Sequence, residues 1–178
     1  MLTRYTAEMT TQNPLVFEDL PGYTQHISRL LSMMQCVRDT TLYVVKDLST
    51  AQLDYLPHSE GNSIGMLLAH IAAVEEGYYL DTVENQNVDW ETPAQALGEA
   101  GRKSLNGKPL EHYLSELARV REQTLAGLKN RDDAWLQEVD VSRDVPRSNY
   151  YKWFHTFEDE VNHRGQILLI RKLLPSGL

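Results

Sequence analysis

The sequence predicts an all-α fold, a four-helix bundle, and three observations carry the prediction. Four long stretches repeat apolar residues at the spacing of one helix face. Serine, asparagine, proline and glycine stand where such helices would begin and end. One connection, residues 84–108, is long enough to cross the end of a bundle or run along its length, so the helices it joins need not be antiparallel neighbours.

The first helix is expected from about Gly22 to Leu48, where Ile27, Leu30, Leu31, Met34, Val37, Val44, Val45 and Leu48 recur at helical spacing. The second runs from about Ser63 to Val83, with Asn62 or Ser63 as N-cap. Its stripe is Ile64, Leu67, Leu68, Ile71, Val74 and Tyr78. The third runs from about Pro109 to Leu128; a proline fits the first turn, where its missing N–H costs nothing. Its seam is Leu110, Leu114, Leu117, Val120, Thr124 and Leu128. The fourth runs from about Asn149 to Leu174, capped by Ser148 and followed by Pro175 and Gly177 as stop signals.

Short accessory helices are expected in the connections. One begins near Ser49 or Thr50, and one spans about Pro93 to Arg102. The segment from Asn130 to Arg147 suits a small extended piece. With no internal repeat or low-complexity tract, residues 1–178 read as one domain, residues 1–18 forming an N-terminal extension.

Composition narrows the function classes. The chain is 42% hydrophobic and 24% charged, enough to build a core without staples. A net charge of −8, with no lysine or arginine run, argues against broad nucleic-acid binding, which needs a basic face. No apolar run approaches a membrane span, and the first residues lack the apolar core of a signal peptide, so a cytoplasmic protein is expected. The single cysteine, Cys36, excludes an intramolecular disulfide and a cysteine-based zinc site. Within LLSMMQCVRDTTLYVV it reads as a buried, inert thiol.

The stretch HTFEDEVNHRGQ, residues 155–166, holds the residues with chemistry to offer. Asp159 and His163 are four apart, so on a helix they lie one above the other on a single face. The helical H-x-x-x-H pair of metalloproteases grips zinc with that geometry, and an aspartate in place of one histidine keeps a metal-competent pair. A third ligand must come from elsewhere. His70, three residues after Leu67 and four before Val74, lies on or beside the buried stripe of the second helix, where an imidazole needs a hydrogen-bond partner or a metal. Spacing alone leaves the plainer alternatives open: an interior histidine satisfied by a neighbour, and an intrahelical Asp159–His163 pair worth about 0.2–0.5 kcal/mol. Glu158 and Glu160 read as solvated or paired with Arg164, and His155, four before Asp159, as a group able to hydrogen-bond it. Tyr78, Tyr79, Tyr150, Tyr151 and Trp153 fit either a core or the wall of a pocket. A G-x-S-x-G elbow, a P-loop and a dinucleotide glycine fingerprint are all lacking.

Two regions resemble the DinB-like superfamily. LSTAQLDYLPHSEGNSIGMLLAHIAAVEE is similar to its short turn followed by a helix reading SIg.ll.Hia..E, and YKWFHTFEDEVNHRGQILLIRKLL to its last-helix pattern, W-x-x-H-x-x-E-H-D/E-x-H-H-x-G-Q/E. The resemblance implies an up-down-down-up bundle, frequent homodimers and a metal triad of one histidine on the second helix and two, four apart, on the last. Carried over by position, His70 and His163 match the first and third ligands. Asp159 stands where the family usually has histidine, and His155 and Glu158 match accompanying positions, as groups that would orient the ligands. The aspartate either keeps a His-Asp-His site with an altered metal preference or marks a member without its metal. Relatives include transferases that use bacillithiol or mycothiol and a mycothiol-dependent isomerase. The resemblance therefore implies a divalent metal (zinc, nickel, iron or manganese), a thiol cosubstrate and a small-molecule substrate. The alternative is a metal-free, non-catalytic dimer acting in stress response through a partner.

Overall fold

The computed structural model describes residues 16–142 and 144–178, so the expected extension over residues 1–18 lies almost wholly outside the described residues. In chain order the elements are α1 (Gln25–Val45), α2 (Thr50–Asp54), α3 (Ile64–Thr82), α4 (Pro93–Ala96), α5 (Gly98–Ser104), α6 (Leu110–Leu128), α7 (Asp133–Leu136), β1 (Val139–Asp140), β2 (Arg147–Ser148) and α8 (Asn149–Leu173). The four long helices are the four expected ones, each within a few residues of its expected ends.

Their starts follow from local hydrogen bonding. Ser49, Ser63 and Ser148 each accept from the backbone N–H three residues on, which satisfies a donor the helix leaves open. At α2 the bond is reciprocal, because the Gln52 side chain accepts from the Ser49 N–H. Pro109 serves as the N-cap of α6, one position before the expected one. The first turn of α1 is capped from a distance: Asp133 of α7 accepts from the His26 N–H at 3.1 Å and from the Thr24 hydroxyl. The single short helix expected over Pro93–Arg102 is instead two, because Leu97 and Gly98 turn the chain at φ +55° and +58°. Leu97 holds that unfavourable conformation while its side chain packs against the core. The extended piece is a two-residue antiparallel hairpin, Val139 opposite Ser148 and Asp140 opposite Arg147.

Residue pairings give the helix directions. His26 meets Tyr150 near the starts of α1 and α8, Arg38 meets Glu160 midway, and Arg171 meets the Val44 carbonyl near their ends, so the two helices run parallel. Gly65 lies beside Tyr113, Glu76 pairs with Arg119, and Gly127 lies beside Tyr79, so α3 and α6 also run parallel. Asp81 pairs with Lys152 and His70 approaches Asp159, so α3 and α8 are antiparallel. The order is up-down-down-up, and the long α3–α6 connection carries the chain back to the end where α3 began.

The core has two apolar parts. One joins Val45, Leu53, Ile64, Leu67, Leu68, Ile71, Leu117, Val120 and Ile167. The other joins Ile27, Leu30, Leu31, Met34, Leu128, Leu136 and Trp153. Between them along each helix sits one buried charged residue: Arg38, Glu75, Arg121 and Glu160. Arg38 donates to Glu160 at 2.9 and 3.1 Å, to Glu75 at 2.8 Å and to the Leu117 carbonyl at 2.9 Å. Arg121 donates to Glu75 at 2.7 and 3.1 Å. Two positive and two negative charges thus cancel, with their hydrogen bonds made, which is the condition for charges to survive burial. Burial works to raise the Glu75 pKa, but Arg121 and Arg38 outweigh it and hold the group at about 2.

Two expectations need correction here. Glu160 is neither solvated nor paired with Arg164; it is 1% exposed and bonded to Arg38. Position 160 lies seven residues from both Trp153 and Ile167, on the inner face of α8, while Arg164 turns to Thr40 on α1. Cys36 is half-exposed, because Met34 and Arg38 take the inward positions on that turn of α1.

Candidate metal centre

Helices α3 and α8 carry the candidate centre between their antiparallel faces. His70, Asp159 and His163 each offer one ligand atom, and these atoms lie within 4.8 Å of one another, all three residues being partly buried. Nε2 of His70 lies 3.6 Å from Oδ2 of Asp159, and Nε2 of His163 lies 3.3 Å from Oδ1 of the same carboxylate. The two imidazole rings meet edge to face, with centroids 4.8 Å apart. Asp159 and His163 share a helix face by their spacing of four, and α3 brings His70 opposite them.

The tautomer of His70 follows from its partner. Nδ1 lies 2.7 Å from the Ala94 carbonyl oxygen, which only accepts, so Nδ1 carries the proton and donates. In the neutral ring Nε2 then holds a lone pair, and it faces a carboxylate oxygen. Burial, outweighing Ala94 and Asp159, lowers the His70 pKa and favours that neutral form. Two electron-rich atoms face each other, and Asp159 Oδ2 is buried with no hydrogen-bond partner. A cation between the three residues removes both problems, since it accepts the lone pairs of Nε2 and of the carboxylate. For Asp159, burial works to raise the pKa; the His163 hydrogen bond and the charges of His163, His70 and His155 prevail and hold it below the ordinary carboxylate value. A neutral imidazole and an ionised carboxylate are the forms a metal needs, so the residues present fit a divalent cation.

The group that orients His70 is the Ala94 carbonyl of α4, which no side-chain motif marks. His155 and Glu158, expected to orient the ligands, hydrogen-bond each other instead, His155 Nδ1 to Glu158 Oε2 at 3.0 Å. Asn162 donates to the other Glu158 oxygen at 2.6 Å. The His155 ring stacks on Tyr151 and meets the edge of Tyr78.

Beside the centre opens a cleft of about 320 Å³, walled by His70, Asp159, His155, Tyr78, Trp90 and Arg147 among others. Of the aromatic residues expected in core or pocket, Tyr78 faces the cleft, Trp153 is wholly buried core, and Tyr150 meets His26. At the far end Lys152, almost wholly buried, is held between Asp81 at 2.8 Å and Asp140 at 3.0 Å. Trp90, Arg147 and Lys152 were not singled out from the sequence. Each comes from a connection or a helix start whose placement depends on tertiary structure. No helix among the described residues is long and apolar enough to cross a membrane.

Comparison with known proteins agrees with this picture. No curated protein matches the chain significantly. Among solved structures, that of a conserved protein from Enterococcus faecalis matches with a TM-score of 0.63 at 15% identity, covering 81% of this chain and 94% of that one, a likeness of fold alone. The family model described as mycothiol-S-transferase matches residues 29–175, which takes in the candidate ligands and nearly all of the bundle. The chain therefore belongs to the mycothiol-S-transferase family, within the DinB-like superfamily that its helix motifs resemble.

Proposed function

We propose that this protein is a metal-dependent thiol S-transferase in which His70, Asp159 and His163 hold a divalent cation (zinc, nickel, iron or manganese) beside a cleft for a small-molecule electrophile. The observation that carries the proposal is the convergence of three ligand atoms within 4.8 Å, one of them a buried carboxylate oxygen without a partner. Three protein ligands leave coordination positions for a further donor, the arrangement of catalytic rather than structural sites. A cation held by these residues would lower the pKa of a thiol brought beside it and so favour the thiolate. The family's description favours mycothiol as that thiol.

The chain's own groups supply the remaining needs. The thiol proton requires an acceptor, and the lining of the cleft by His155 beside Asp159 supports that role for it. The Glu158 carboxylate accepts from Nδ1–H, so Nε2 of the neutral ring keeps its lone pair. Asn162 fixes Glu158, and Tyr151 and Tyr78 fix the ring. Sulfur forms the new bond to carbon as the electrophile's π bond or leaving-group bond breaks, and the thiol proton passes by way of His155 to the neighbouring carbon or to the leaving group. The homodimer implied by the resemblance would cover Phe154, Val161 and Leu168, which are exposed at intervals of seven along α8; sedimentation of Val161→Lys tests that surface.

The test uses protein purified without a histidine tag and reconstituted separately with zinc, nickel, iron and manganese. One metal per chain, and metal-dependent consumption of mycothiol with N-ethylmaleimide above the uncatalysed rate, are expected. Loss of both is expected in His163→Ala. Failure to retain any of the four metals would falsify the proposal and favour the partner-binding alternative.

A further inference from the structure

Arg147 has no anionic partner among the described residues. Among the described residues no carboxylate lies within ion-pair distance of its guanidinium, and its recorded contacts are the hairpin pairing with Asp140 and a position over the Tyr151 ring, 5.9 Å from the centroid. Asp81, which lines the cleft, and Asp140, opposite Arg147 in the hairpin, are both engaged by Lys152. Arg147 nevertheless lines the same cleft as His70 and Asp159. A half-buried guanidinium in a cleft forgoes part of its hydration, and that loss is recovered when an anion meets its planar fork.

Its position is set from two sides. The hairpin fixes the backbone, since residue 147 pairs with residue 140 two positions before α8 begins. The Tyr151 ring, one turn into α8, supports the guanidinium face. That ring also stacks on His155, and Arg147 and His155 both line the cleft with Asp159. From the first residue of α8 to Asp159 the helix rises about 15 Å. A reactant whose reacting atom lies near the metal centre can therefore carry its charge at the opposite end.

Resting on the transferase reading, we propose that Arg147 is a specificity-determining residue that binds a carboxylate of one of the two reactants, set apart from its reacting atom. A carboxylate is the match because a single guanidinium offers paired donors and one positive charge, which it satisfies one to one. Mycothiol carries no carboxylate, so with that thiol the group belongs to the electrophile.

The experiment compares the metal-loaded wild-type protein with Arg147→Met and Arg147→Lys, each checked for a native circular-dichroism spectrum. With mycothiol as the thiol, maleimidopropionate and maleimidohexanoate are compared with their methyl esters. Sulfur adds to the maleimide double bond and the proton ends on the neighbouring carbon, so nothing else is consumed. A second arm keeps N-ethylmaleimide constant and compares cysteine with cysteamine, which lacks the carboxylate. Expected is a preference for the acid in one arm, with its kcat/KM ratio of acid to neutral analogue falling at least tenfold in Arg147→Met and less in Arg147→Lys. The arm that responds identifies which reactant carries the group. Equal ratios in wild type and Arg147→Met in both arms overturn the proposal, whereas absence of turnover with any pair counts against the transferase reading. Independently of turnover, titration with succinate followed by NMR is expected to shift the Arg147 side-chain Nε–H signal saturably in the wild type, and backbone signals along the cleft at least tenfold more weakly in Arg147→Met. An Arg147 signal that does not move also overturns it.

Discussion

Arg38 and Glu160 meet in the middle of the bundle through two hydrogen bonds, from helices that run side by side in the same direction. The pair is half of a four-residue chain, Glu160–Arg38–Glu75–Arg121, to which each long helix contributes one residue. Removing one member leaves others buried without compensation, and that residual charge dominates the cost. Arg38→Met is therefore expected to destabilise the protein by about 3–5 kcal/mol and lower its melting midpoint by roughly 10 °C. Replacing all four with apolar residues of similar volume is expected to cost much less. Calorimetry on both variants checks the contrast, and equal losses would show that the charges matter only through packing.

Acid should unfold this protein through Glu75. Its folded pKa of about 2 lies below the ordinary value of 4.5. A depressed carboxylate pKa contributes stability that is fully present above the ordinary value and is lost as pH falls through the folded one. The window is thus pH 4.5 down to about 2, and the contribution is about 3 kcal/mol. Urea midpoints measured across that window are expected to fall steeply in the wild type. Glu75→Gln should start less stable and show a flatter slope; a parallel slope would place the acid sensitivity in other carboxylates.

Much of this arrangement is written in local pattern. The helix stripes, the serine caps and the Asp159–His163 pair follow from periods and spacings that short-range geometry enforces, whereas His70 joins them only through the packing of α3 on α8, which the family resemblance implied. The buried charge chain was harder to see because a charged residue in a helix is ordinarily solvated. A signal exists nonetheless: Glu75 stands seven after Leu68, Arg38 four after Met34, Arg121 four after Leu117 and Glu160 seven after Trp153, each continuing its helix's seam. The Ala94 carbonyl behind His70 carried no such signal, since any residue supplies a carbonyl and only the path of α4 brings this one near. Arg147 was equally silent, because its place in the cleft comes from a two-residue hairpin.

Asp159 stands where the family resemblance implies a histidine, and Asp159→His tests what the carboxylate does in the proposed centre. Exchanging oxygen for nitrogen makes the donor set softer and removes one negative charge. The variant is expected to retain metal, with its preference moved from manganese toward zinc and nickel. Asp159→Asn, which keeps the shape without the charge, should bind any of them at least tenfold more weakly. Competitive metal titrations read by mass spectrometry of the native protein check both. An unchanged affinity in Asp159→Asn would mean that the carboxylate is not a ligand.

Two glycines separate cleft architecture from helix propensity. A Cβ on Gly77 of α3 would lie 2.9 Å from the Trp90 ring and 2.8 Å from the Gln95 amide nitrogen, both of which line the cleft. Gln95 also donates to the Ala73 carbonyl at 2.6 Å, which limits how far it can retreat. Gly77→Ala must therefore displace Trp90, narrowing or skewing the cleft at an overpacking cost of about 1–3 kcal/mol. Its kinetic signature should be a raised KM with metal content intact. Gly165 of α8 is the counter-case: a Cβ there meets nothing within 4 Å. Gly165→Ala should gain about 0.5–1 kcal/mol from reduced freedom of the unfolded chain without altering KM. Thermal melts of the two variants are expected to move in opposite directions, and steady-state kinetics to change only in Gly77→Ala. A Gly77→Ala protein with wild-type KM would show that the Trp90 wall does not contact substrate.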